Sequence, residues 1–176
     1  MAENCVSIPL LATLGYIEKE DCYLMMHRIS KKNDLNQGKW IGVGGKVEKG
    51  ESPLECMKRE CLEETGLTWN DPALKGVITF NFYQNQQLQE SEIMFLYHGT
   101  SFSGELGECS EGVLEWVPIS HIPQLNLWQG DLLFLHRLQK QEEGFFEMRL
   151  DYDGDHLIFA SCNGEIILQD HPEQEK

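Results

Sequence analysis

Apolar residues along this chain come in short bursts separated by polar turns. LLATLGYI (10–17) and DCYLMMHRI (21–29) flank the polar EKED, which predicts two strands joined by a turn. SKKNDLNQG (30–38) reads as a polar loop, and KWIGVGG (39–45) as a short strand running into glycines. A helix is predicted over 53–65. LKGVITFNFYQ, SEIMFLYHGT and GVLEWVPI, each rich in β-branched and aromatic residues, predict three more strands. WQGDLLFLHRLQKQ (128–141) reads as a second helix, because Leu132, Leu135 and Leu138 recur at intervals of three. FFEMRLDY and HLIFAS around Asp153-Gly154 predict a hairpin. The end, QDHPEQEK, reads as frayed. The pattern implies an α/β fold: a mixed sheet with at least two helices in one domain spanning 1–176, with a C-terminal hairpin extension at about 144–162.

A length of 176 residues suits one domain, and 41% hydrophobic residues suffice for a core. No run approaches the ~18 apolar residues that span a bilayer. MAENCVSIPLLATLGYI carries acidic Glu3 and no basic leader, so neither a secretory signal nor a transit peptide is expected. The expectation is a soluble cytoplasmic protein with no membrane partner. The net charge of −15 argues against a nucleic acid polymer as partner, since such binders present basic patches. A small phosphate-bearing ligand remains open, but an acidic protein needs a bridging cation to hold one. Six cysteines, at 5, 22, 56, 61, 109 and 162, form no C-x-x-C pair and read as free thiols packed as small apolar groups. The oligomeric state is left open.

The predicted helix has a well-specified start. Ser52 suits the N-cap, Pro53 the first helical position and Glu55 the N3 position, a capping box with proline at N1; Gly66 suits the residue after the C-cap. Leu54, Met57 and Cys61 supply an apolar stripe. The end of the helix is less expected. Glu60, Glu63 and Glu64 share one face, with Cβ atoms roughly 5–6 Å apart, and each pair repels by about 3 kcal/mol at an effective dielectric near 20. Glu63 and Glu64 also sit at the negative end of the helix dipole. Arg59 can relieve Glu63, whereas the i±3 and i±4 neighbours of Glu60 include no cation. Two readings stand at this point: a solvated acidic face, or hard carboxylate ligands for a divalent cation such as Mg²⁺. The glycine pair Gly44-Gly45, at a fixed distance before the helix, favours the second.

The same segment resembles the Nudix hydrolase signature, G-x5-E-x7-R-E-U-x-E-E-x-G-U, where U is bulky and apolar. Gly45, Glu51, Arg59, Glu60, Glu63, Glu64, Gly66 and Leu67 match every fixed position, and Cys61 fills the first U, a mild departure. The resemblance implies the Nudix fold, a mixed β-sheet sandwiched between α-helices. It implies hydrolysis of a nucleoside diphosphate linked to a further group, with Mg²⁺ or Mn²⁺ as cofactor. It assigns Glu60, Glu63 and Glu64, with the carbonyl of Gly44, to the metal. Glu60, or a carboxylate outside the signature, would orient or deprotonate the attacking water, and Arg59 would pin Glu51 and Glu63. Glu111 matches an extra acidic residue that some members add to the metal site.

GKWIGVGGKVEKGES and NLWQGDLLFL narrow the resemblance to the MutT-type branch and, within it, to diphosphatases that clear oxidised purine nucleoside triphosphates such as 8-oxo-dGTP. Trp128 and Asp131 match a Trp-x-x-Asp element that helps bind the base, by stacking and by hydrogen bonds to the base edge. Trp40 and Lys46 complete the expected substrate-binding set. One departure bears on the substrate: animal members of this group carry Asn directly after the loop tryptophan, where this chain has Ile41. Asn33 or Asn36 is the available substitute. Two other readings stay open: a Nudix pyrophosphatase for another nucleotide derivative (ADP-ribose or a nucleotide sugar), and a noncatalytic sensor. The full set of signature glutamates speaks against the sensor.

Overall fold

The computed structural model describes residues 8–29, 34–140 and 144–170, so Cys5, Asn33 and the 171–176 end lie outside the described residues. The chain runs β1 (Leu10–Lys19), β2 (Cys22–Arg28), β3 (Trp40–Ile41), α1 (Pro53–Thr65), β4 (Thr68–Trp69), β5 (Ala73–Gln84), β6 (Gln87–Gly99), β7 (Phe102–Ser103), β8 (Gly112–Pro118), a 3₁₀ turn (Ile119–Gln124), α2 (Asp131–Gln139), β9 (Phe146–Asp153), β10 (His156–Cys162) and β11 (Glu165–Gln169). The main sheet has the order β11-β10-β9-β5-β6-β1-β2-β3, with β8 also on β2; β4 and β7 form a separate pair. β1 runs parallel to β6 and β5 parallel to β9, while the other pairs are antiparallel, so the sheet is mixed.

Strand alternation sends neighbouring residues to opposite faces. Tyr16, Tyr23 and Leu96 point to one face, where Phe134, Leu135 and Leu138 of α2 cover them together with Trp128 and Tyr152. Ile17, Leu24 and Tyr97 point to the other, against Met57 and Cys61 of α1 and Trp69. The two helices therefore sandwich the sheet, as expected from the sequence. α1 has the predicted caps: the Ser52 side chain accepts from Glu55 N–H, Glu55 reaches back to the N-cap amide, and Gly66 closes the helix at φ 75°. Its buried face differs from the expected stripe: Cys56, Met57, Cys61, Glu64 and Thr65 are buried, whereas Leu54 is exposed.

Other boundaries moved. β3 keeps only two residues of the expected 39–45 strand, and the rest becomes an irregular strip along β1. α2 begins at Asp131 rather than at 128, because Trp128–Gly130 form a turn in which Asp131 N–H bonds Trp128 carbonyl. β6 starts four residues before Ser91, after a tight turn with positive φ at Asn85 and Gln86. β11, after the Asn163-Gly164 turn, has no counterpart in the sequence reading. The hairpin at Gly154 extends the main sheet, since β9 lies beside β5 from Gly76↔Phe146 to Tyr83↔Asp153. Cys22, Cys56, Cys61, Cys109 and Cys162 are free thiols. Among the described residues no helix is long and apolar enough to cross a membrane.

Replacing Leu150 of β9, which is fully buried, with Ala is expected to cost about 2–5 kcal/mol of unfolding free energy. Replacing the half-exposed Ile167 of β11 with Ala should stay within about 0.5 kcal/mol. Denaturant unfolding of the two variants measures both.

Candidate active site

The glycine-rich strip is held in place by backbone hydrogen bonds. β1 pairs with β2 only at Glu18↔Tyr23 and Lys19↔Cys22. Beyond that point residues 43–47 lie alongside β1: Gly15 N–H donates to Val43 carbonyl (2.7 Å), Thr13 N–H to Gly45 carbonyl (2.8 Å), and Val47 N–H to Leu11 carbonyl (2.9 Å). At Gly44, φ is 150°, and a Cβ there would stand 2.0 Å from Thr13 carbonyl oxygen. At Gly45 a Cβ would meet the Glu60 carboxylate at 2.4 Å, so glycine lets α1 bring that carboxylate directly against the strip.

Arg59 organises the carboxylates around it. Its Nε and Nη2 donate to the two oxygens of Glu51 (3.1 and 2.7 Å), its Nη1 to Glu60 (2.7 Å) and Glu63 (3.2 Å), and its Nη2 also to Lys46 carbonyl (3.2 Å). The guanidinium fork holds the Glu51 carboxyl down at about 2. Glu60 thus has a cationic partner that helical spacing hides, because adjacent residues point apart while a long arginine folds back.

Glu64 is treated differently. It is 8% exposed, and its Oε2 accepts from Gly44 N–H at 2.9 Å. Burial pushes its pKa up to about 8; the Gly44 amide opposes the rise, Glu60 and Glu111 add to it, and Arg28 offsets part of it. Glu111, preceding β8, pairs with Arg28 at 2.8 Å, and Arg28 also holds Asp34. The fold therefore brings Glu60, Glu64 and Glu111 into one electrostatic neighbourhood at Gly44-Gly45, with the more exposed Glu63 on its Arg59 side. Among the described residues no three His, Cys, Asp or Glu side chains converge tightly enough to enclose an ion as they stand. Each carboxylate is turned instead toward a donor of the protein, Arg59, Arg28 or the Gly44 amide.

A second cluster lies on the α2 face. Trp128 is 4% exposed, and its Nε1 donates to Asn36 Oδ1 at 2.8 Å. Phe80, Phe82 and Tyr152 surround the ring edge-on at 5.3, 6.4 and 4.8 Å. The Lys39 ammonium lies over it, 4.2 Å from the ring centroid. Tyr152 also accepts from Gly130 N–H at 2.7 Å, which ties the start of α2 to β9. Asp131 is 7% exposed, and among the described residues no donor bonds its carboxylate. Burial pushes it up to about 8, against the pull of Lys39. Trp40 stacks flat on His27 at 4.7 Å and packs at the margin of the same core. The exposed Lys46, bridged across from Ala12, acts electrostatically on Glu92. Arg28, Lys39 and Tyr152 were absent from the expected set. Lys39 stands directly before Trp40, and Arg28 ends a strand, but neither sits at a position to which the resemblance gave a role.

Residues 10–138 match the NUDIX domain model. The chain belongs to the Nudix family. It is 36% identical over 121 residues (68% of this chain, 76% of the relative) to the oxidized purine nucleoside triphosphate hydrolase of Danio rerio. The MutT protein of Bacillus halodurans superposes with a TM-score of 0.78 at 26% identity, covering 89% of this chain and 99% of that one. The Nudix domain of Shewanella oneidensis NrtR, solved as a complex with ADP ribose, gives 0.63 at 14% identity, covering 81% and 94%.

Nudix hydrolases generally use divalent cations, and the residues present fit one. The donor set is all hard oxygen, and the buried Glu64 carboxylate, flanked by two further acids, is the kind of group that a cation would relieve. On the α2 face this Nudix chain keeps a second buried acid whose charge state has a measurable consequence. Asp131 ordinarily titrates near 3.8 and here near 8, so the folded state retains a proton that the unfolded chain releases. Its contribution to stability is full below pH 3.8 and is lost as pH rises toward about 8. Asp131→Asn should therefore gain in Tm relative to the parent as pH rises across that window. Thermal melts at a series of pH values read the difference.

Proposed function

We propose that this Nudix hydrolase cleaves an oxidised purine nucleoside triphosphate, such as 8-oxo-dGTP, to the monophosphate and pyrophosphate, with Mg²⁺ as cofactor. The observation that carries the reading is the pairing of two sites across one strip of backbone. Acids from α1 and from the approach to β8 share one electrostatic neighbourhood at Gly44-Gly45, and a buried aromatic cluster with a buried carboxyl stands on the α2 face. The 36% identity to the Danio rerio oxidized purine nucleoside triphosphate hydrolase supports the substrate class.

Gly44 carbonyl, Glu60, Glu63, Glu64 and Glu111 are the groups that would hold Mg²⁺. The ion, when bound, neutralises phosphate charge and lowers the pKa of a bound water. Glu60, lodged against Gly45, is the base for the attacking water: it takes the proton as the water oxygen bonds to phosphorus, and the bond between the α- and β-phosphates breaks. Arg59 keeps Glu60 aimed and fixes Glu51 and Glu63 beside it. Lys46 offers a positive charge at the edge of the strip. Trp128 and Asp131 receive the base, with Trp40 at the margin. Asn36, bonded to the Trp128 indole, is the polar side chain that stands in for the one Ile41 lacks.

With Mg²⁺ present, 8-oxo-dGTP should be hydrolysed with a higher kcat/KM than dGTP, ADP-ribose or a nucleotide sugar. Faster turnover of ADP-ribose would replace this substrate by the other. Glu60→Gln should lower kcat by about 10²–10⁴-fold while circular dichroism and Tm stay those of a folded protein. Undiminished turnover would remove Glu60 from the mechanism.

A further inference from the structure

We propose that Lys39 reads the six-position of the purine and makes the base site select 6-oxopurines over 6-aminopurines. This rests on the nucleotide-hydrolase reading above. Lys39 is 8% exposed, and such burial of an ammonium is costly unless something compensates it. Its ion-pair partner is Asp155 in the β9–β10 turn, at 3.2 Å, whose side chain is 86% exposed. A pair with one fully solvated member contributes little, so that pair does not account for the placement. The ammonium lies on the face of Trp128, while Phe80, Phe82 and Tyr152 take the other directions around the ring. It also acts on Asp131.

A planar base that stacks on Trp128 must displace the ammonium from the ring, and the flexible four-carbon stem can carry it to the base edge. An ammonium offers three donors and no acceptor. A 6-oxopurine presents the O6 acceptor there, and a 6-aminopurine presents an N–H donor, which the ammonium opposes. Asp131, buried within the field of Lys39, brings a carboxyl oxygen that can accept a hydrogen bond. The N1–H beside O6 in a guanine-type base is a donor that this carboxyl oxygen can accept, whereas N1 of an adenine-type base carries no hydrogen to give.

The test compares 8-oxo-dGMP with 8-oxo-dAMP by calorimetry in EDTA, and the corresponding triphosphates by kcat/KM with Mg²⁺. Lys39→Met should weaken binding and kcat/KM for the 6-oxo compound about tenfold and for the 6-amino compound less than about twofold. Lys39→Arg, which keeps charge and donors, should retain the preference. Equal weakening of both bases, no change in either, or loss of preference in folded Lys39→Arg overturns the assignment. Absence of hydrolysis of any triphosphate by the parent would overturn the proposed reaction, and the calorimetry would still judge Lys39.

Discussion

The backbone hydrogen bonds between β1 and residues 43–47 set the geometry of everything near the site. They let a strip without regular sheet pairing lie at a defined height beside β1, and the strip then supplies three separate fixtures. Gly44 N–H holds Glu64, Gly45 leaves space for the Glu60 carboxylate, and Lys46 carbonyl receives Arg59. A side chain at Gly44 or Gly45 would collide with β1 or with Glu60 at distances no real contact shows. The constraint is steric and local, yet it decides how far apart the acids of α1 stand.

A chain of net charge −15 that acts on an anion faces repulsion twice, among its own carboxylates and against its substrate. The fold handles the acids individually. Glu51, Glu60 and Glu63 share the guanidinium of Arg59, Glu111 shares Arg28 with Asp34, and Glu64 relies on one backbone amide. Glu64 is the member left with the largest electrostatic debt. Its position among Glu60 and Glu111 is where a divalent cation would gain most.

The strands after residue 138 lie beyond the match to the family model, yet they form part of the aromatic cluster around Trp128. Tyr152 of β9 packs on Trp128 and receives the Gly130 amide, Leu157 N–H reaches Gln129, and Asp155 meets Lys39. Because β9 lies parallel to β5, this wall is held by the main sheet rather than by a loop. A segment whose role the sequence left open thereby becomes the support of the residues proposed to meet the base.

Features carried by short spacing were legible in the sequence. The cap and stop of α1, the alternation of the longer strands and the signature from Gly45 to Leu67 all depend on residues within a few turns of one another. The β4–β7 pair escaped notice because its two partners lie far apart in the chain, and β11 because it is exposed along its whole length and carries no buried alternation. Leu54 was expected inside and lies outside, since the direction from which the sheet approaches α1 selects the buried face. Local spacing could nominate Glu60, Glu63 and Glu64, but only strand pairing across the sheet could bring Glu111 and Arg28 to them, or set Lys39 on Trp128 across 89 positions. The sequence by itself determined which chemical groups the chain owns and how each element begins and ends. Tertiary structure decided which groups share a dielectric environment, because distance in space, and not distance along the chain, governs their charge and their contacts.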